Sequence, residues 1–82
     1  MANSLSPGLH SVGEILAIAD FDLSSKAKPL YSDAPEGAID YRRVKIGGLS
    51  FMSEDEMIRV PDTAEELVIS VDGKADSVLE VR

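Results

Sequence analysis

The stretch Val44-Lys45-Ile46-Gly47-Gly48-Leu49-Ser50-Phe51 decides the fold. Two short apolar runs flank a pair of glycines. A two-residue hairpin loop needs positive φ at its central positions, and glycine adopts that conformation without a Cβ clash. If Gly47-Gly48 is that loop, Ile46 faces Leu49 and Val44 faces Phe51. The four apolar side chains then share one sheet face, with Arg43 and Lys45 on the other and Arg42 on the inward parity.

A second hairpin pattern closes the chain. Leu67, Ile69 and Val71 alternate with Val68 and Ser70, and Leu79 and Val81 alternate with Val78 and Glu80. If both odd-numbered sets face the core, Val71 pairs with Leu79 and Ile69 with Val81. That register requires an odd number of intervening residues. It predicts a three- or five-residue loop with a bulge near Gly73, not a two-residue Asp72-Gly73 turn. Met57 to Val60 reads as a further strand that Pro61 stops.

Residues 12–23 carry two periodicities. Ile15, Ala17, Ala19, Phe21 and Leu23 alternate as a half-buried strand does, and this pattern predicts a strand. The competing reading is a helix capped by Ser11, with Glu14 closing a capping box. Ser53 with Glu56, and Asp62 ahead of Glu65-Glu66, give two candidate helical turns.

The chain of 82 residues is therefore expected to be mainly β. The expected architecture is a small antiparallel barrel or sandwich of five to six short strands, with one short helix or helical turns. The expected core is Ile15, Ala17, Phe21, Val44, Ile46, Leu49, Phe51, Ile58, Leu67, Ile69, Val71, Leu79 and Val81. Residues 1–11 read as a polar N-terminal arm with Pro7-Gly8 as a turn, and residues 12–82 as one small β domain. Residues 24–38 form a long connection broken by Pro29, Pro35 and Gly37. Leu30 and Tyr31 are its apolar members. They are expected to pin the loop to the core, the alternative being that a partner touches them.

Composition narrows the function classes. Cysteine is absent and His10 is the only histidine, which removes disulfides, thiolate zinc sites and multi-histidine metal sites. No secretory leader pattern occurs, and the apolar run Ile15 to Ala19 is too short to span a bilayer. The expected setting is the cytoplasm or a virion. The formal charge is −7. Residues 53–76 hold eight acidic against two basic residues, net −6, which argues against direct phosphate-backbone binding.

Catalytic signals are weak. The acids fall in hydrated runs, whereas an acid–base pair needs one desolvated carboxyl. Asp20, Asp22, Asp72 and Asp76 are hard oxygen donors, but EF-hand spacing is missing and Lys74 sits among them. No nucleophile elbow or P-loop is present. Tyr41, Arg43 and Lys45 share a parity that suits base stacking, yet the patch is small on so acidic a chain.

The expectation is a non-catalytic protein–protein interaction or assembly module without cofactor or metal. A decoration or accessory subunit of a larger complex or virion fits, with a protein partner or further copies of the chain. Candidate contact residues are Leu5, Leu9, Leu30, Tyr31, Glu54, Asp55, Glu65 and Glu66. One alternative is an acidic inhibitor or regulator of a basic, nucleic-acid-binding protein. Another is a small carbohydrate- or ligand-binding β module, for which Tyr31 and Tyr41 are the available rings.

Overall fold

A computed structural model describes residues 3–31 and 33–82. The elements, in order, are β1 (Ser4–Leu5), β2 (Gly8–Ser11), α1 (Val12–Ile18) and α2 (Leu23–Lys26), then a 3-10 turn (Tyr41–Arg43). Four strands follow: β3 (Val44–Ile46), β4 (Met57–Val60), β5 (Glu66–Val71) and β6 (Lys74–Val81). The chain is mainly β, and the described residues form six strands in two sheets that do not close into a barrel. The larger sheet has the order β1-β6-β5-β3, and β2 pairs with β4 in the smaller one. All pairings are antiparallel except β1 on β6, which is parallel.

The diglycine turn forms. Gly47 and Gly48 take φ of 58° and 79°, and Ile46 and Leu49 exchange both backbone hydrogen bonds at 3.0 Å. The hairpin then stops. The Val44 N–H is already donated to the Tyr41 carbonyl at the end of the 3-10 turn, so it cannot bond the returning strand. β3 pairs instead with β5, setting Val44 opposite Val71 and Ile46 opposite Ile69. Val44, Ile46 and Phe51 are buried, while Leu49 leaves the core face and is 53% exposed. The 3-10 turn also corrects the facing of the arginines. Arg43 turns inward, Arg42 faces solvent, and Tyr41 packs edge-on against Phe51 with centroids 5.5 Å apart.

β5 and β6 meet through a two-residue turn, contrary to the expected longer loop. Asp72 and Gly73 adopt φ of 53° and 82°, and Val71 lies opposite Lys74. The parity requirement was sound, but the odd residue sits elsewhere. The register shifts between Ile69, opposite Ser77, and Ser70, opposite Ala75, leaving Asp76 as a bulge in β6. The bulge returns the odd-numbered residues to the inner face, so Leu67 meets Leu79.

Residues 12–18 are helical, not a strand. Ser11 caps α1 by accepting the Glu14 N–H at 3.1 Å. The Val12 and Gly13 N–H groups are taken by the carbonyls of Glu56 and Glu54, at 2.8 and 2.9 Å. The acidic turn 53–56 thus supplies backbone acceptors to donors that a helix start leaves unpaired. At the other end the Asp20 N–H bonds the Ala17 carbonyl and the Phe21 N–H bonds the Leu16 carbonyl, a Schellman closure. Val12, Ile15 and Leu16 enter the core, and Ala17 faces water.

The core is one cluster between the larger sheet, α1 and the smaller sheet. Ala17 and Leu49, both expected in it, face solvent instead, and it takes in Leu5, Val12, Leu16, Leu23, Ala27 and Val60 beyond the expected set. Val71 and Val81 are half-buried against it. The segment expected as an arm contributes β1 and β2 from residue 4 onward, while Met1 and Ala2 lie outside the described residues.

Asp20 occupies the left-handed position of the Schellman closure with φ 53°. A non-glycine residue is strained there, and a carboxylate opposes the negative end of the helix. Asp20→Gly should therefore raise unfolding free energy by roughly 0.5–1 kcal/mol in urea titrations.

Candidate interaction surface

The connection after α2 is closed at its base. Asp22 caps α2 by accepting the Ser25 N–H at 3.2 Å and the Ser24 hydroxyl at 2.8 Å. Ala27 is fully buried, and its carbonyl accepts the Asp40 N–H at 2.7 Å. That bond brings residues 27 and 40 together, as in a compact Ω-type loop. Lys26 fixes the same base: its Nζ lies 2.5 Å from the Asp76 carboxylate and 4.7 Å from the Phe21 ring centroid. The β6 bulge thereby gains a tertiary role, since it presents Asp76 to α2.

Arg43 holds the loop to the larger sheet. Its guanidinium grips the Asp72 carboxylate through two bonds, at 2.9 and 2.6 Å, and also donates to the Lys28 carbonyl. The Asp72 N–H returns a bond to the Arg43 carbonyl at 2.8 Å. A planar fork on a carboxylate fixes orientation as well as position. The side chain read as part of a basic outer face is therefore a joint between the 3-10 turn, the Asp72-Gly73 turn and the loop. Arg42 is tied to Asp40 in the same two-bond manner, at 2.9 and 3.0 Å. The groove of about 480 Å³ beside these pairs contains Lys45, which extends toward solvent.

Above this base the loop presents two large apolar side chains. Leu30 is 81% exposed and Tyr31 57%, so neither pins the loop to the core as expected. Tyr31 borders a cleft of about 260 Å³ whose other walls include Lys28, Pro29, Pro35 and Glu36. Ser32 lies outside the described residues.

The other candidate residues are dispersed. Leu5 is 3% exposed and anchors β1 in the core, so it is corrected from a contact residue to a packing residue. Leu9 is exposed on the outward face of the smaller sheet. It lies opposite Arg59 and diagonal to the exposed Met57. Glu54 and Asp55 are exposed on the turn that caps α1, and Glu65 and Glu66 at the start of β5. Glu66 stands directly opposite Glu80, whose carboxylate is met by Arg82 at 2.6 Å. Sequence reasoning missed exposed Leu49, Met52 and Met57, and the joint made by Arg43.

No described polar side chain is fully buried, and among the described residues no three His, Asp or Glu side chains converge as metal ligands. No helix of the described residues is long and apolar enough to cross a membrane. The fold and surface define a small mainly β domain with an apolar-tipped loop. Neither a protein-family model, nor a curated protein, nor a solved structure matches the chain.

Three carboxylates are held below the usual aspartate value of 3.8. Bonds from the Arg42 guanidinium lower Asp40, and bonds from Arg43 lower Asp72. The Ser24 hydroxyl, aided by the Ser25 N–H, lowers Asp22. A depressed folded value means stability that is present above pH 3.8 and lost as pH falls through the folded value. Asp72→Asn keeps a residue suited to positive φ and removes the charge. Its melting temperature should lie below wild type near neutrality, and the gap should close in strong acid. A gap of undiminished size there would contradict a charge contribution from the Arg43 fork.

Proposed function

We propose that this chain is a non-catalytic protein–protein interaction or assembly module. Its working contact is the loop that carries Leu30 and Tyr31. The observation that carries this reading is the contrast between the loop's base and its tip. The base is secured by the Ala27–Asp40 backbone bond, the Lys26–Asp76 pair and the Arg43 fork. The tip gives up the burial of two large apolar side chains. Closure of the base limits where Leu30 and Tyr31 can go, which lowers the ordering entropy that binding a partner would cost. An accessory or decoration subunit of a larger complex or virion, in a cytoplasmic or virion setting, suits a chain of this size with one small core.

The exposed acids support a second reading. Glu54, Asp55, Glu65 and Glu66 are exposed, and none of them enters an ion pair among the described residues. Such a surface suits a regulator that meets a basic, nucleic-acid-binding protein. The carbohydrate reading gains less, because Tyr41 is committed to Phe51 and Tyr31 is the exposed ring that remains.

The test compares the tagged wild-type chain with the Leu30→Ser/Tyr31→Ser variant by size exclusion from native extract. Wild type should elute well above its 8.8 kDa mass and the variant near it, with equal melting temperatures. Wild type eluting at its own mass, or the variant retaining the larger size, contradicts the reading.

A further inference from the structure

β1 is a short strand with few attachments. It lies parallel on β6, where the Glu80 N–H donates to the Asn3 carbonyl at 3.0 Å and the Arg82 N–H to the Leu5 carbonyl at 2.9 Å. Leu5 is its apolar anchor. The chain then turns through Ser6-Pro7-Gly8, with Gly8 at φ 126°, into β2. Two-residue edge pairings are weak by themselves, so something else must hold the corner.

His10 spans that corner. Its Nδ1 contacts the Glu14 carboxylate in the first turn of α1, and its Nε2 lies 2.8 Å from the Ser6 carbonyl. Both partners are acceptors when Glu14 is ionised. A neutral imidazole has one N–H and can donate to only one of them, while the imidazolium donates to both. The other contact would set a nitrogen lone pair against an oxygen lone pair. The side chain is 13% exposed, so water has little access to relieve the mismatch.

We propose that protonation of His10 governs how firmly the N-terminal strand is docked, as a latch closed by the imidazolium and loosened by the neutral ring. Glu14 is the charged group that faces it from α1. The β1–β2 corner offers the neutral Ser6 carbonyl, and β4 sets apolar Ile58 opposite. The turn 53–56 meets the same helix start through the Glu54 and Glu56 backbone carbonyls; its Glu56 carboxylate is engaged by the Met52 N–H, and Glu14 is the carboxylate that acts on His10. The helix N–H groups have the opposing sign, but Val12, Gly13 and Glu14 already donate to Glu56, Glu54 and Ser11.

Consistent with this geometry, the Glu14 carboxylate holds the His10 value above the usual 6.5, against a smaller opposing effect of burial. A raised folded value means stability that is complete below pH 6.5 and lost as pH rises through the folded value. Loosening the latch frees the outer edge of β6, which then offers unpaired backbone groups to another strand.

The experiment is NMR on the full chain, where the single histidine gives an unambiguous titration. His10 should titrate above 6.5. Between about pH 6 and about pH 8.5 the Glu80 and Arg82 amides should lose protection roughly tenfold, after correction for intrinsic exchange. The Gly47 amide, bonded within the larger sheet, should keep its protection over the same range. His10→Gln should abolish the pH effect. Glu14→Gln should lower the His10 midpoint, a readout that does not depend on how well His10→Gln folds. A His10 midpoint at or below 6.5, or Glu80 and Arg82 protection indifferent to pH in wild type, overturns the proposal.

Discussion

The approach of Gly47 to β5 is the constraint on which the larger sheet depends. The Gly47 N–H donates to the Val68 carbonyl at 2.8 Å, in register with Ile46 opposite Ile69. A Cβ on Gly47 would sit 2.8 Å from Leu67 Cδ1, closer than non-bonded carbons tolerate. Leu67 is 7% exposed and faces Leu79, so its methyl would have to shift within a packed layer to admit a Cβ. Gly47 therefore serves twice. It supplies the turn's left-handed backbone, and it lets β3 lie close enough to β5 for Ile46, Ile69, Leu67 and Leu79 to form one buried layer.

From that layer the rest is positioned in sequence. The β5–β6 turn brings Asp72 to Arg43, and the β6 bulge brings Asp76 to Lys26. Both contacts act on the base of the 27–40 loop. The opposite edge of the sheet receives β1, and the corner after it is spanned by His10. A β scaffold with one small core thus carries two peripheral features, a loop closed at its base that exposes Leu30 and Tyr31 and a corner that holds the single histidine.

Much of this was legible in residue order. The Gly47-Gly48 turn, the Pro61 stop and the alternation of β5 each act locally and are present, although the hairpin ends after one pair and the β5–β6 register differs from the expected one. The helix at 12–18 was also written in the chain: Val12, Ile15, Leu16 and Ala19 recur at i, i+3, i+4 and i+7. The alternation of Ile15, Ala17 and Ala19 concealed it, because two alanines count as apolar wherever they face. Ser11 and Glu14 supplied the better signal. The β6 bulge could not be located from parity, which counts an extra residue without saying where it sits. Parallel pairing of β1 with β6 joins the two ends of the sequence, and no local pattern announces such a contact. Leu5 was misassigned for that reason. Exposure of Leu30 and Tyr31 became visible only once Ala27 and Asp40 were seen to close the loop beneath them.

Comparing Gly47→Ala with Gly48→Ala tests the central constraint most directly. Both positions have positive φ, so each alanine incurs a backbone cost of about 1–2 kcal/mol. A Cβ at Gly48 meets nothing within 4 Å, whereas one at Gly47 meets Leu67. Urea unfolding should show Gly47→Ala to be the more destabilised by a further 1 kcal/mol or so, as for overpacking in a filled core. Equal losses for the two variants would contradict the close approach of β3 to β5, and with it the placement of everything the sheet supports.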